Sequence, residues 1–311
     1  MNIIKGMYTL NGKWIKFCIC IMHFTICMFV FNALGLLVLK FDDSIVGLKW
    51  VQILAASGIF IVGTLINAYT VFDDWKQLLS VRKPQMWFLL MALFGVLTCT
   101  PFINHITQLN EMMQLPDWLK PIEDWMRSKE DENMKLTQDF LKVDSLGGFL
   151  LNLLALAIVP AFGEELLFRG LIQKTIQNHT RNIHLAIWSS AILFSAIHLQ
   201  FYGFFPRMIM GAIFGYFLVW SQSIFVPIIC HFLNNATIVI VYYLMPDKVE
   251  EMENLGSQDL SISILSLLLF LGICHLMWKK WKHDRHAQQS DLTTNTSNNP
   301  ITTNRDSVQD K

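Results

Sequence analysis

Long uncharged runs alternate with short polar segments along the chain, at 17–39, 50–72, 84–110, 145–163, 182–206, 208–246 and 260–278. A membrane-crossing helix needs about 20 mostly apolar residues, and these runs meet or approach that length. They are continuous rather than alternating, so helices and not strands are expected. The run 208–246 is about twice one span and divides at the polar turn Ser221-Gln222-Ser223 before Pro227. The pattern predicts an all-α, polytopic membrane bundle of about eight transmembrane helices, at 17–39, 50–72, 85–107, 145–177, 182–203, 206–220, 225–244 and 260–278.

Basic residues set the expected orientation. With the N-terminus inside, the inner segments hold Lys5, Lys13 and Lys16; Lys76, Arg82 and Lys83; Arg169, Lys174 and Arg181; and Lys279, Lys280, Lys282 and Arg285. The short outer segments hold only Lys40, Lys49, Arg207 and Lys248. The expectation is N-in and C-in. The first apolar run exceeds the usual signal-peptide core of about 7–15 residues, so it is read as a retained span.

Five regions follow: a three-helix membrane region at 1–110, an acidic amphipathic extracytoplasmic loop at 111–144, a four-helix segment at 145–245, a last span with a basic end at 246–283, and a disordered polar tail at 284–311. The loop is expected to form one or two short surface helices. Composition agrees, with 53% hydrophobic and 15% charged residues. Lys+Arg and Asp+Glu balance at 24 each, which gives no electrostatic case for a nucleic-acid partner. All six cysteines fall within predicted spans, so no disulfide framework is expected.

Ionisable side chains at membrane depth are costly, and so mark function by default. His23, His105 and His275 occur singly and read as packed or interfacial imidazoles. The segment 145–246 is different: its acidic residues are Glu164 and Glu165 alone, and it adds Arg169, His198, His231 and Asn235. Glu165 and Arg169, four apart, form an acid-then-base pair on one helical face, which leaves Glu164 facing elsewhere. Glu164 lies 16 residues before Thr180 and His198 lies 18 after it; at about 1.5 Å per residue an antiparallel hairpin brings them level. His231 and Asn235, four apart, share a face of the seventh predicted helix, 225–244.

Several chemistries fit such a cluster. Glu164 and an imidazole can activate a water, with a His–Asn pair donating to an oxyanion. Glu164, His198 and His231 are also candidate ligands for zinc. A proton relay in a transporter or a buried polar network that fixes packing are the remaining readings. No His-Glu-x-x-His or Gly-x-Ser-x-Gly motif occurs, and Asp is absent from 145–246, so an aspartyl dyad has no members.

The motifs Glu164-Glu165-x-x-x-Arg169, Phe194-x-x-x-His198 and His231-x-x-x-Asn235, in that order, resemble the CPBP family of intramembrane proteases (CAAX protease and bacteriocin-processing, or Abi), which is similar to type II CAAX prenyl endopeptidases. The resemblance covers about 145–245, and every motif position agrees. It implies an intramembrane endopeptidase with Glu164, His198, His231 and Asn235 as catalytic residues and Glu165, Arg169 and Phe194 in support, glutamate- or metal-dependent. It also implies a membrane-associated peptide or protein substrate in a prokaryotic cytoplasmic membrane. The alternative is a non-catalytic immunity or scaffold protein, or a proton-coupled transporter built on the same cluster.

Overall fold

The computed structural model describes residues 12–249, 251, 255 and 259–297. Its framework is helical: α1 (Lys13–Phe41), α2 (Ile45–Val71), α3 (Met86–Glu111), α4 (Lys120–Leu141), α5 (Leu146–Thr180), α6 (Ile183–Ala196), α7 (Phe204–Ser221), α8 (Phe225–Leu244) and α9 (Leu260–Ser297). Polar residues ahead of the apolar runs start several of them. Ser44 Oγ accepts from Val46 N, Ser145 Oγ from Gly148 N, and Asn182 Oδ1 from Leu185 N, each satisfying a first-turn amide.

Among the described residues seven helices are long and apolar enough to cross a membrane, and α6 is shorter. The expected span 182–203 therefore needs correction. At about 1.5 Å per residue, the 14 residues of α6 reach roughly 21 Å, against a hydrocarbon core of about 30 Å. The chain turns back at Leu199, whose φ of 53° is left-handed, and Asn110 at the end of α3 bonds Phe201 O beyond it, so α6 and this turn together form one arm of a hairpin with α7.

Large apolar side chains such as Phe29, Leu36, Leu265 and Leu268 point outward from the bundle, as lipid-facing positions do. Inside, α3, α7, α8 and α9 share one core through Phe88, Val96, Phe214, Phe217, Cys230 and Ile273. A second core joins α2, α5, α6 and the start of α8 through Ala68, Phe168, Phe194 and Ile228. α1 packs on α2, which packs on α5. The helices α5 to α8 thus surround one interior volume.

Two further expectations are revised. The loop 111–144 carries a 22-residue helix, α4, after a single 3₁₀ turn at Asp117–Leu119, in place of short fragments. Its end is anchored where Phe140 and Leu141 are buried and Phe140 O accepts from Asn152 Nδ2 at 2.7 Å. The last helix continues to Ser297, so 284–297 is helical rather than disordered. Lys280 pairs with Asp284 at 3.1 Å, and the Arg285 guanidinium covers the Trp281 ring at 5.0 Å, which extends the helix past its apolar part. The remainder of the expected tail, 298–311, lies outside the described residues.

Candidate active site

The acidic pair sits in α5 between two π-helical stretches, Leu153–Ile158 and Leu166–Gln173, a rare helix form that recurs at functional sites. Glu165 is 0% exposed and Arg169 1% exposed, with Arg169 Nη1 2.9 Å from Glu165 Oε1. The opposite charge offsets the cost of burying each group alone. Arg169 Nη2 donates to Gly211 O at 3.0 Å, and one turn on Gln173 Nε2 donates to Gly215 O at 3.2 Å. Both acceptors lie on α7, where glycine permits the approach: a Cβ at Gly211 would lie 3.2 Å from Arg169 Nη2. The guanidinium also faces the Phe194 ring at 4.6 Å and the Phe214 ring at 5.7 Å.

The two histidines are held so that they face Glu164. His231 lies with Nδ1 2.9 Å from Glu165 Oε1. Because Arg169 neutralises an ionised Glu165, Nδ1 is the donor in that bond. His198 Nδ1 lies 2.7 Å from Phe194 O, a carbonyl that only accepts, so Nδ1 donates there too. The remaining nitrogens turn inward: His198 Nε2 is 3.9 Å from Glu164 Oε1 and His231 Nε2 is 3.8 Å from Glu164 Oε2. Phe214 stacks on His231 at 5.5 Å, and Phe194 meets His198 edge-on at 5.0 Å. His198 is the most open of the three, with 26% of its side chain exposed.

Asn235 stands apart. Its Nδ2 donates to Leu156 O in the first π-helical stretch at 3.2 Å, and its Oδ1 accepts from Asn234 at 3.2 Å. Among the described residues no hydrogen bond joins it to Glu164, His198 or His231. Of the solitary histidines, His23 bonds Asn67 Oδ1 at 2.9 Å, far along the chain from this cluster.

The turn that carries His198 is clamped by residues that the motifs do not contain. Asn110, at the end of α3, donates to Phe201 O at 3.2 Å and accepts from Phe205 N at 3.0 Å. Arg207 Nη2 donates to Gln200 Oε1 at 2.6 Å, and Ser195 Oγ donates to Phe204 O at 2.7 Å. From α4, Trp125 packs on Phe201 at 5.7 Å and the Arg127 guanidinium covers the Tyr202 ring at 4.3 Å. Arg207 had a visible signal, since it alone separates two uncharged runs; Asn110 and Trp125 had none.

The donor set matches a metal ion in chemistry but not in spacing. Two Nε2 lone pairs and a carboxylate, with both imidazole N–H groups engaged by acceptors, have the chemistry of a zinc site. The spacing does not fit, because zinc bonds of about 2.0–2.1 Å in a tetrahedron put ligand atoms about 3.3 Å apart, and these pairs lie 3.8 and 3.9 Å apart. No group of three His, Cys, Asp or Glu among the described residues is placed to hold a metal ion.

The fold and these side chains define an integral membrane protein with a buried Glu–His–His cluster. Residues 146–237, which hold every one of the motif positions, match the family described as type II CAAX prenyl endopeptidase Rce1-like. The resemblance to CAAX-type proteases therefore holds for this segment. Over 89 residues the chain is 28% identical to Uncharacterized protein YpbD of Bacillus subtilis (strain 168), an overlap of 27% of this chain and 42% of that protein. The matching region thus spans less than half the length of that curated relative. No solved structure matches.

Proposed function

We propose that the protein is an intramembrane endopeptidase that hydrolyses a peptide bond in a membrane-associated peptide or protein, with Glu164 activating the attacking water. The observation that carries this reading is the approach of two imidazole Nε2 atoms to one carboxylate at 3.8 and 3.9 Å. Those separations are too long for direct hydrogen bonds and suit one bridging water. Glu164 takes a proton from that water, His198 Nε2 accepts the second O–H and orients the oxygen, and the hydroxide adds to the carbonyl carbon. His231, its Nδ1–H held by Glu165, donates to the oxyanion from Nε2 when that nitrogen also carries a proton. When the C–N bond breaks, Glu164 returns its proton to the leaving amine.

Asn235, one turn along α8 from His231, supplies its second amide N–H to the substrate backbone. Glu165, Arg169 and Phe194 hold the imidazoles in place. The reaction is glutamate-dependent and no step passes through a metal. The match to type II CAAX prenyl endopeptidases supports a peptide at the membrane, and the basic ends of the helices support N-in and C-in in a prokaryotic cytoplasmic membrane.

The test is cleavage of a membrane-anchored peptide library by the purified full chain in proteoliposomes. Glu164→Gln is expected to lower the rate roughly 10²–10⁴-fold with an unchanged melting temperature, and a chelator such as 1,10-phenanthroline to leave it intact. Full activity in Glu164→Gln would overturn the role of Glu164. Ion or solute flux without cleavage would favour the transporter reading.

A further inference from the structure

Away from the Glu–His–His cluster, the ends of α5 and α7, the polar stretch of α9 around Trp281 and the connector after α2 line a polar cavity of about 360 Å³. Arg82 and Lys83 come from the connector, Lys174 and Gln177 from α5, and Trp281 and Arg285 from α9. Asp284 also lines it, but is matched by Lys280, both carboxylate oxygens lying 3.1 Å from Nζ. The four cations close no ion pair among the described residues. Asp73 and Asp74 line an adjoining cavity that shares Arg82 and Lys174, and Asp74 is engaged in accepting from Gln77 N at 3.0 Å.

A second observation points to an acceptor-rich ligand. Trp281 Nε1 is buried and has no hydrogen-bond partner, and neither has Gln177 Oε1. An indole nitrogen can only donate, so this N–H, on a residue that lines the same cavity as four cations, is met by an oxygen acceptor once the ring turns toward the cavity. Gln177 meets the same need when its amide is turned, since its two ends are interchangeable by assignment. The cavity lies where charged segments follow the apolar spans, the level of lipid headgroups.

We propose that this cavity binds a phosphate group, that of an anionic phospholipid headgroup at the bilayer surface. Arg82, Lys174 and Arg285 neutralise the phosphate, Lys83 adds a fourth charge, and Trp281 Nε1–H and Gln177 donate to its oxygens after their side chains turn into the cavity. The site ties α9 to α5 and to the connector, which otherwise repel one another through like charges.

The experiment is thermal unfolding of the purified full chain in detergent with added dioleoyl-phosphatidylglycerol, dioleoyl-phosphatidylcholine or inorganic phosphate. Phosphatidylglycerol at saturation is expected to raise the melting temperature by about 5 °C and phosphatidylcholine to do much less. The triple variant Arg82→Gln/Lys174→Gln/Arg285→Gln should lose that shift. A charge-matched control, Lys129→Gln/Lys135→Gln/Lys142→Gln, should keep it. A shift with inorganic phosphate alone would keep the site but identify free phosphate as its ligand. No shift with either, or an undiminished shift in the triple variant, would overturn the proposal. Should the triple variant not fold, Trp281→Phe keeps the ring and removes the N–H; a reduced shift supports the site and an unchanged one overturns it.

Discussion

His231 Nδ1 and Glu165 Oε1 lie 2.9 Å apart, and this bond turns the imidazole so that Nε2 faces Glu164. The two adjacent glutamates thereby divide their work. Glu165 is the fully buried anchor for Arg169 and His231, while Glu164 borders the open side with His198.

Glu165→Gln should therefore damage the fold before the chemistry. It leaves Arg169 buried without its counter-charge, a loss of about 3–5 kcal/mol when one partner of a buried pair is removed. Glu164→Gln strands no buried guanidinium and should cost clearly less stability than Glu165→Gln. Thermal denaturation in detergent compares them; equal losses of melting temperature would contradict this division.

The approach of α5 to α7 makes a second prediction. A Cβ at Gly215 would sit 2.8 Å from Gln173 Oε1 and 2.9 Å from Ile187 Cγ2. Gly215→Ala should cost about 1–3 kcal/mol through overpacking. Gly272, where a Cβ meets nothing within 4 Å, serves as control, and Gly272→Ala should be neutral or slightly stabilising. A melting curve for each variant decides it.

The His198 turn should depend on Asn110 although Asn110 touches no reacting group. Asn110→Ala removes two part-buried hydrogen bonds, to Phe201 O and from Phe205 N, each worth about 0.5–1.5 kcal/mol net. Amide exchange across 197–205 should accelerate, and peptide cleavage should fall while Glu164 and His231 stay in place. Unchanged exchange in that segment would show that the turn is held by α4 and Arg207 alone.

Counting residues along two antiparallel helices is enough to level Glu164 with His198, because rise per residue is fixed by backbone geometry. The helix 225–244 was legible to the residue, as Pro227 and the polar turn before it leave little freedom. Other features were not legible, because they depend on contacts distant in sequence. α6 stops at Ala196 since Asn110 and Arg207 hold the following turn, not since the apolar run ends. Asn235 shares a face with His231 by spacing, yet its amide is drawn to Leu156 O on a neighbouring helix. The length of α4 depends on pairs such as Glu123–Arg127 and on its anchored end, which an acidic, weakly apolar sequence does not advertise.

Two carboxylates on α4 make its attachment pH-dependent in opposite senses. Glu123 accepts from Arg127 Nε at 2.9 Å and from Leu115 N at 3.1 Å. The Arg127 hydrogen bond, aided by Leu115 and Lys120, holds its carboxyl below the usual range. A lowered folded-state pKa gives stability that is present above the unfolded value and lost as pH falls through the folded one. Burial pushes the Glu130 carboxyl up, against the lowering effect of backbone hydrogen bonds from Tyr202 and Phe201 and of the Arg207 charge. Its contribution is present below the unfolded value and lost as pH rises through the raised one. Protection of 120–141 from amide exchange, corrected for intrinsic rates, should therefore be greatest in mildly acidic solution and decline toward neutral pH. Glu130→Gln should remove the decline on the neutral side, and Glu123→Gln should lower protection at every pH above the usual carboxylate range. A Glu130→Gln profile that overlays the wild type would show that Glu130 does not govern how α4 holds the His198 turn.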